Sequence, residues 1–217
     1  MSEQPSPVTA RHLDYVAAHT RGDDELLAEL KRAARAEGLP AIWIAPAQAS
    51  FLQIVLRLAG AREVVEVGTL GGYSAIAMAR ALPEGGRVRT IEVEPVHADF
   101  AERWIARSDV AGKIEVHRGR GVDVLPRFGS DSADAAFLDA DKASYPLYLE
   151  QCLRIVRVGG LIAVDNAFAF GQLLDAQPTD RDVPAIRAFN DQLAADARLQ
   201  SAIVPLGDGC WVGVRLS

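Results

Sequence analysis

The chain has 217 residues, 49% of them hydrophobic, and its 29 acids outnumber 23 lysines and arginines for a net charge of −6. That is enough apolar material for one well-buried α/β domain, and the acid excess, with no basic cluster to offset it, argues against a nucleic-acid partner. No apolar run approaches the ~20 residues of a membrane span, so no membrane association is expected.

In chain order, "MSEQPSPVTA" is polar and proline-containing, without the basic-then-apolar pattern of a secretory signal. Residues 1–8 read as a loose tail. From Thr9 to about Ala61 the pattern is helical, which predicts a helical cap over 9–61. "DDELLAELKRAARAEG" opens with acids and closes with basic residues and a glycine stop. "PAQASFLQIVLRLAG" repeats that design, with Phe51, Leu52, Val55, Leu56 and Leu58 as its apolar face.

From residue 62 onward strands and helices alternate. Strands are predicted at 63–67, 87–92, 113–117, 134–139 and 159–164, with helices at 73–82, 95–107, roughly 121–127 and 145–157. This spacing predicts a parallel sheet covered by helices on both faces. The end breaks the rhythm: helix "PAIRAFNDQLAADA", then "SAIVPL", a "GDG" turn and "CWVGVRL". Two strands joined by so short a turn run antiparallel. The expectation is one Rossmann-like α/β domain over 1–217, with its core at 62–217. Cys152 and Cys210 stand alone, without a C-x-x-C, which suits a reducing compartment and a cytoplasmic protein.

Ligands in such sheets bind beyond the carboxyl ends of the strands. After the first strand comes "EVGTLGGYS" with Gly68, Gly71 and Gly72. Leu70 and Tyr73 occupy the second and third glycine positions of a dinucleotide fingerprint, and the Gly-Lys-Ser/Thr of a P-loop is absent. Glu66 beside the turn would repel phosphate and suit a cation. Glu92 ends the second strand, where an acid takes the ribose hydroxyls of a nucleoside. A nucleoside without phosphate, positively charged near the first turn, describes S-adenosylmethionine. By itself the loop is equally a generic α/β glycine turn.

"AFLDADKASY" ends the fourth strand and "LIAVDNAF" the fifth, so neighbouring strands would bring Asp139 close to Asp165 and Asn166. Three oxygen donors without His or Cys suit a hard divalent cation, Mg²⁺ first, with Ca²⁺ or Mn²⁺ as alternatives. Taken singly, Asp139 reads as a strand-end cap and Asp165–Asn166 as a turn. Lys142, three residues past Asp139, reads by itself as a solvated surface charge and, if held beside a divalent cation, as a general base. Trp43, Phe168 and Phe170 are candidates to wall an aromatic acceptor, and Tyr145 and Tyr148 to touch it. His12, His19, His97 and His117 show no ligand spacing. Two other readings stay open: a nicotinamide oxidoreductase on a similar sheet, and a nucleoside-binding module without catalysis.

The combination "EVGTLGGYSAIAMARALP", "IEVEP", "GRGVDVLP", "FLDADKASY", "GGLIAVDN" and "AFNDQLAADARLQSAIVPLGDG" resembles the class I, cation-dependent O-methyltransferases of the catechol and caffeoyl-CoA type. The resemblance implies seven strands in the order 3-2-1-4-5-7-6 with the last antiparallel. It puts Glu66, Gly68 and Ser74 at the methionine end of S-adenosylmethionine, Thr69 among the other cofactor-binding residues, Glu92 on its ribose and Gly121 beside its adenine. Asp139 would touch cofactor and metal alike, Asp165 and Asn166 would complete the Mg²⁺ ligands, and Lys142 would be the catalytic lysine. A homodimer is also implied. The chain departs from the family's pattern at "AFAFGQ", which lacks a tryptophan and a second glycine, and at "PAQASF", which lacks the Gly-Gln pair. The short segment ahead of the first helix favours a small vicinal diphenol over a CoA ester.

Overall fold

The computed structural model describes residues 8–217, so the tail expected over 1–8 lies, apart from Val8, outside the described residues. Three helices precede the first strand: α1 (Ala10–His19), α2 (Glu25–Ala36) and α3 (Pro46–Leu58). Asp24 caps α2 by accepting from the Leu27 amide at 3.0 Å, and Leu27, Leu30 and Ala34 form its buried face. Pro46 begins α3, where its missing N–H costs nothing. The inward face of α3 is Gln48, Ala49, Leu52 and Leu56, while Leu58, expected on that face, is 82% exposed. Two residues past Leu56 the helix has turned about 200°, which carries Leu58 to the opposite side.

The alternating part follows as β1 (Glu63–Val67), α4 (Tyr73–Ala79), β2 (Arg87–Glu92), α5 (Pro95–Ala106), β3 (Ile114–Arg118), α6 (Gly121–Val124), β4 (Ala133–Leu138), α7 (Tyr145–Ile155), β5 (Val156–Val164), α8 (Val183–Ala195), β6 (Leu199–Val204) and β7 (Cys210–Arg215). The sheet runs β3-β2-β1-β4-β5-β7-β6. β1 pairs in parallel with β2 and β4, β2 with β3, and β4 with β5, whereas β7 is antiparallel to both β5 and β6. The order and the single reversed strand match the expectation. β5 begins three residues earlier than expected, because the backbone passes directly from α7 into an extended run at Val156.

Both faces of the sheet are covered, which is why its strands read as nearly continuous apolar runs. Val64, Ala135, Phe137, Leu161 and Ala163 point toward α2–α5, and Val65, Val67, Ala136, Leu138, Ile162 and Val164 toward α7 and α8. Cys152 and Cys210 are unpaired and buried, and burial pushes both thiols up to about 12. Among the described residues no helix is long and apolar enough to cross a membrane.

The register extends past the strand ends. Gly68 N donates to Ile91 O at 3.0 Å, Asp139 N to Val67 O at 2.9 Å, and Asp165 N to Leu138 O at 2.9 Å. The residues after β1, β4 and β5 are therefore held side by side. Gly68 adopts φ +102°, and a Cβ there would stand 1.9 Å from the Asp139 carbonyl oxygen. Gly68→Ala should lower unfolding free energy by roughly 4 kcal/mol or more, since backbone strain and overlap act together; a denaturant titration showing near-wild-type stability would refute the tight approach.

Candidate active site

A cavity of about 1060 Å³ lies beyond the carboxyl ends of the central strands, with part of its wall from α2 and the approach to α3. Gly68, Thr69, Ser74, Glu92, Gly121, Asp139, Lys142, Asp165 and Asn166 all line it. Glu66 does not: it is fully buried on β1, beneath the glycine turn.

The turn after β1 is shaped by backbone needs. Gly72 sits at φ +83° as the N-terminal cap of α4, and Ser74 lies in the first turn of that helix. The Thr69 hydroxyl is 2.6 Å from that of Thr90, tying the turn to β2. Glu92 accepts from the amides of Leu70 at 2.7 Å and Glu94 at 2.9 Å, one on each carboxylate oxygen. Those bonds hold the carboxylate at the cavity edge with lone pairs to spare. His97 Nδ1 lies 3.7 Å from Glu92, and this histidine, which shows no ligand spacing in the sequence, lines the cavity as well. Gly121 opens α6, and a side chain there would strike the Tyr148 ring at 2.6 Å.

Burial raises the Glu66 carboxyl to about 8; the neighbouring Asp139 and Glu92 add to that, while the Ser74 and Thr90 hydroxyls oppose it. Neither hydroxyl makes a well-formed bond to it, and both Glu66 oxygens lack a partner among the described residues. A buried acid without partners holds its proton, and positive charge placed beside it favours the ionised form.

On the other side, Asp139 and Asp165 end adjacent strands. Asp165 is raised by burial and by Asp139, with Gln48 opposing: Gln48 Nε2 donates to Asp165 Oδ1 at 2.6 Å. Asn166 follows at φ +66° and donates from Nδ2 to Asp208 Oδ2 at 3.1 Å. Lys142 Nζ donates to Asp139 Oδ1 at 3.1 Å and to the Tyr145 hydroxyl at 2.6 Å, and only 7% of this lysine is exposed. Tyr145 is buried, its hydroxyl raised well above the ordinary range by burial. Asp141 accepts from the Tyr148 hydroxyl at 2.6 Å. Among the described residues no group of three or more His, Cys, Asp or Glu is arranged around a metal; the oxygen donors here are two carboxylates and one amide. Two like-charged carboxylates in a partly dry site nonetheless suit a hard cation.

A family model described as O-methyltransferase matches residues 17–216. The chain belongs to the O-methyltransferase family. A catechol O-methyltransferase of Niastella koreensis is 40% identical over 196 residues, covering 89% of this chain and 86% of the relative. One of Mycobacterium tuberculosis is 35% identical over 218 residues, covering 100% and 98%. The crystal structure of the O-methyltransferase TomG from Streptomyces achromogenes, in complex with SAM, superposes with a TM-score of 0.83 at 33% identity, covering 94% of this chain and 96% of that one.

This O-methyltransferase is thus an S-adenosylmethionine-dependent enzyme, and the oxidoreductase and binding-module readings fall away. Of the aromatic residues expected to wall an acceptor, Trp43, Phe170 and Tyr148 line the cavity; Phe168 packs on Gly209, and Tyr145 lies beneath the lining. Sequence reasoning missed Gln48, Asp208 and the hydrogen bond from Lys142 to Tyr145. Gln48 left one signal, a polar residue on the buried face of α3.

The raised Glu66 carboxyl predicts a pH effect on the ligand-free O-methyltransferase. The fold binds that proton more tightly than the unfolded chain, so its contribution is full below 4.5 and is lost as pH rises through about 8. Glu66→Gln should stabilise the protein above pH 8 by up to about 5 kcal/mol, an advantage that fades as pH falls. Denaturant titrations across pH that show a constant difference would refute this.

Proposed function

We propose that this O-methyltransferase transfers the methyl group of S-adenosylmethionine to one hydroxyl of a small vicinal diphenol, with a divalent cation, Mg²⁺ first, held by Asp139, Asp165 and the Asn166 amide oxygen. The observation that carries the reading is the convergence of two carboxylates, one amide and a buried lysine on adjacent strand ends, opposite the glycine turn, in one cavity. The relatives named as catechol O-methyltransferases support the acceptor class.

When bound, S-adenosylmethionine supplies an electrophilic methyl group and the cation supplies charge that favours an ionised hydroxyl. The chain does the rest. Glu92, fixed by two backbone amides, holds the ribose hydroxyls. Gly68 presents main chain to the donor and, lacking a side chain, lets Asp139 come close beside it, and Ser74 lines the donor's methionine end. Glu66 beneath balances the donor's positive charge. Trp43 and Phe170 flank the acceptor ring. Lys142 Nζ, in its free-amine form, would take the proton from the reacting hydroxyl, leaving that oxygen as the nucleophile for the methyl group a bound donor would supply. Holding both reactants in one orientation supplies much of the acceleration.

Two experiments test this. Methyl transfer to small diphenols should vanish in excess EDTA and return with Mg²⁺; full activity under chelation would remove the cation. Lys142→Ala should reduce kcat by about 10²–10⁴-fold, a loss that shrinks as rising pH ionises the acceptor without help. A deficit that stays constant with pH would make Lys142 an electrostatic residue rather than the base.

A further inference from the structure

The G-D-G turn between β6 and β7 reaches the site, yet the functional reading gives it no task. Asp208 Oδ2 accepts from Asn166 Nδ2 at 3.1 Å and from the Phe170 amide at 2.8 Å, and Oδ1 accepts from the Gly171 amide at 3.2 Å. An ionised carboxylate can only accept. The half of the Asn166 amide that faces Asp208 must therefore be the NH₂, and Oδ1 is turned to the other side.

A similar contact lies one residue back. Gln48 presents its NH₂ to Asp165 Oδ1, at 2.6 Å. The Gln48 carbonyl oxygen then faces Gly207, where φ is +58° and a Cβ would fall 2.4 Å from it. Gln48 is 1% exposed, held between Asp165 and the turn. One oxygen of Asp165 is taken by this amide, and the other is left.

We propose that the G-D-G turn and Gln48 form an orienting lock on the cation site: Asp208 fixes the Asn166 amide so that its oxygen is the ligand atom, and Gln48, backed by Gly207, commits one Asp165 oxygen so that the other meets the cation. The lock rests on the cation-assisted reading above. Without it the Asn166 amide is free to present an N–H donor to a positive ion, which repels it. Asp208, Gly207 and Gln48 are positioning residues, since they act through the ligands and not on the reactants.

The test is Mn²⁺ binding, read by electron paramagnetic resonance on the full chain saturated with S-adenosylhomocysteine. Asp208→Asn keeps the shape but can offer either an oxygen or an NH₂ to Asn166. It should weaken Mn²⁺ by about 10–100-fold, the usual effect of losing a partner that orients a metal ligand. Gln48→Leu should weaken Mn²⁺ similarly, and S-adenosylhomocysteine affinity should be unchanged in both. Wild-type Mn²⁺ affinity in both variants would overturn the lock while leaving the cation site standing. A parallel loss of S-adenosylhomocysteine and Mn²⁺ would also overturn it, by assigning these contacts to folding alone. A wild-type protein that binds no Mn²⁺ would overturn the cation site itself, and the lock with it.

Discussion

A main-chain contact governs the rest of the site. Gly68 passes so close to the Asp139 carbonyl that only a residue without Cβ fits, and the amides of Gly68, Asp139 and Asp165 bond to the carbonyls of Ile91, Val67 and Leu138 at the carboxyl ends of neighbouring strands. The sheet register thereby becomes the geometry of the site. Residues that follow β1, β4 and β5 have no independent freedom to drift apart, and a glycine turn ends up facing a pair of carboxylates. Sites carried on rigid element ends hold their geometry better than sites on free loops.

The electrostatics are those of a site awaiting positive charge. Glu66 lies buried without a hydrogen-bond partner among the described residues, and Asp165 is raised by burial and by Asp139. Lys142 offsets part of the negative charge through Asp139. Acids removed from water with incomplete pairing oppose folding as they ionise. A fold that tolerates them gains preorganised groups that need little rearrangement when a cationic ligand arrives.

Much of this was legible in the sequence, for physical reasons. The strands were visible because a sheet covered on both faces demands apolar runs, and Glu92, Asp139, Asp165 and Asn166 were visible because strand ends are where such sheets bind ligands. Thr69, Ser74 and Gly121 needed the family resemblance. Gln48 and Asp208 were hidden because each acts on a residue far away in sequence: 117 positions separate Gln48 from Asp165 and 42 separate Asp208 from Asn166. No local pattern encodes such a pair. Leu58 was misplaced for a simpler reason, since hydrophobicity alone does not say which of two nearby leucines faces inward. The lining position of His97 depended on the packing of α5 beside Glu92, which spacing between histidines does not reveal.

The strand order also limits how the sheet can close. Among the described residues β6 pairs only with β7, and β7 lies between it and β5. β6 therefore cannot join the sheet by itself; it enters as one arm of a hairpin whose contacts are local in sequence. Local hairpins form quickly, whereas their docking must wait for distant partners. Here the partner is β5, and the turn that joins the two arms brings Asp208 with it. Seating the hairpin on β5 therefore also sets Asp208 against Asn166 and closes that wall of the cavity, so a chain with an unseated hairpin would lack that wall.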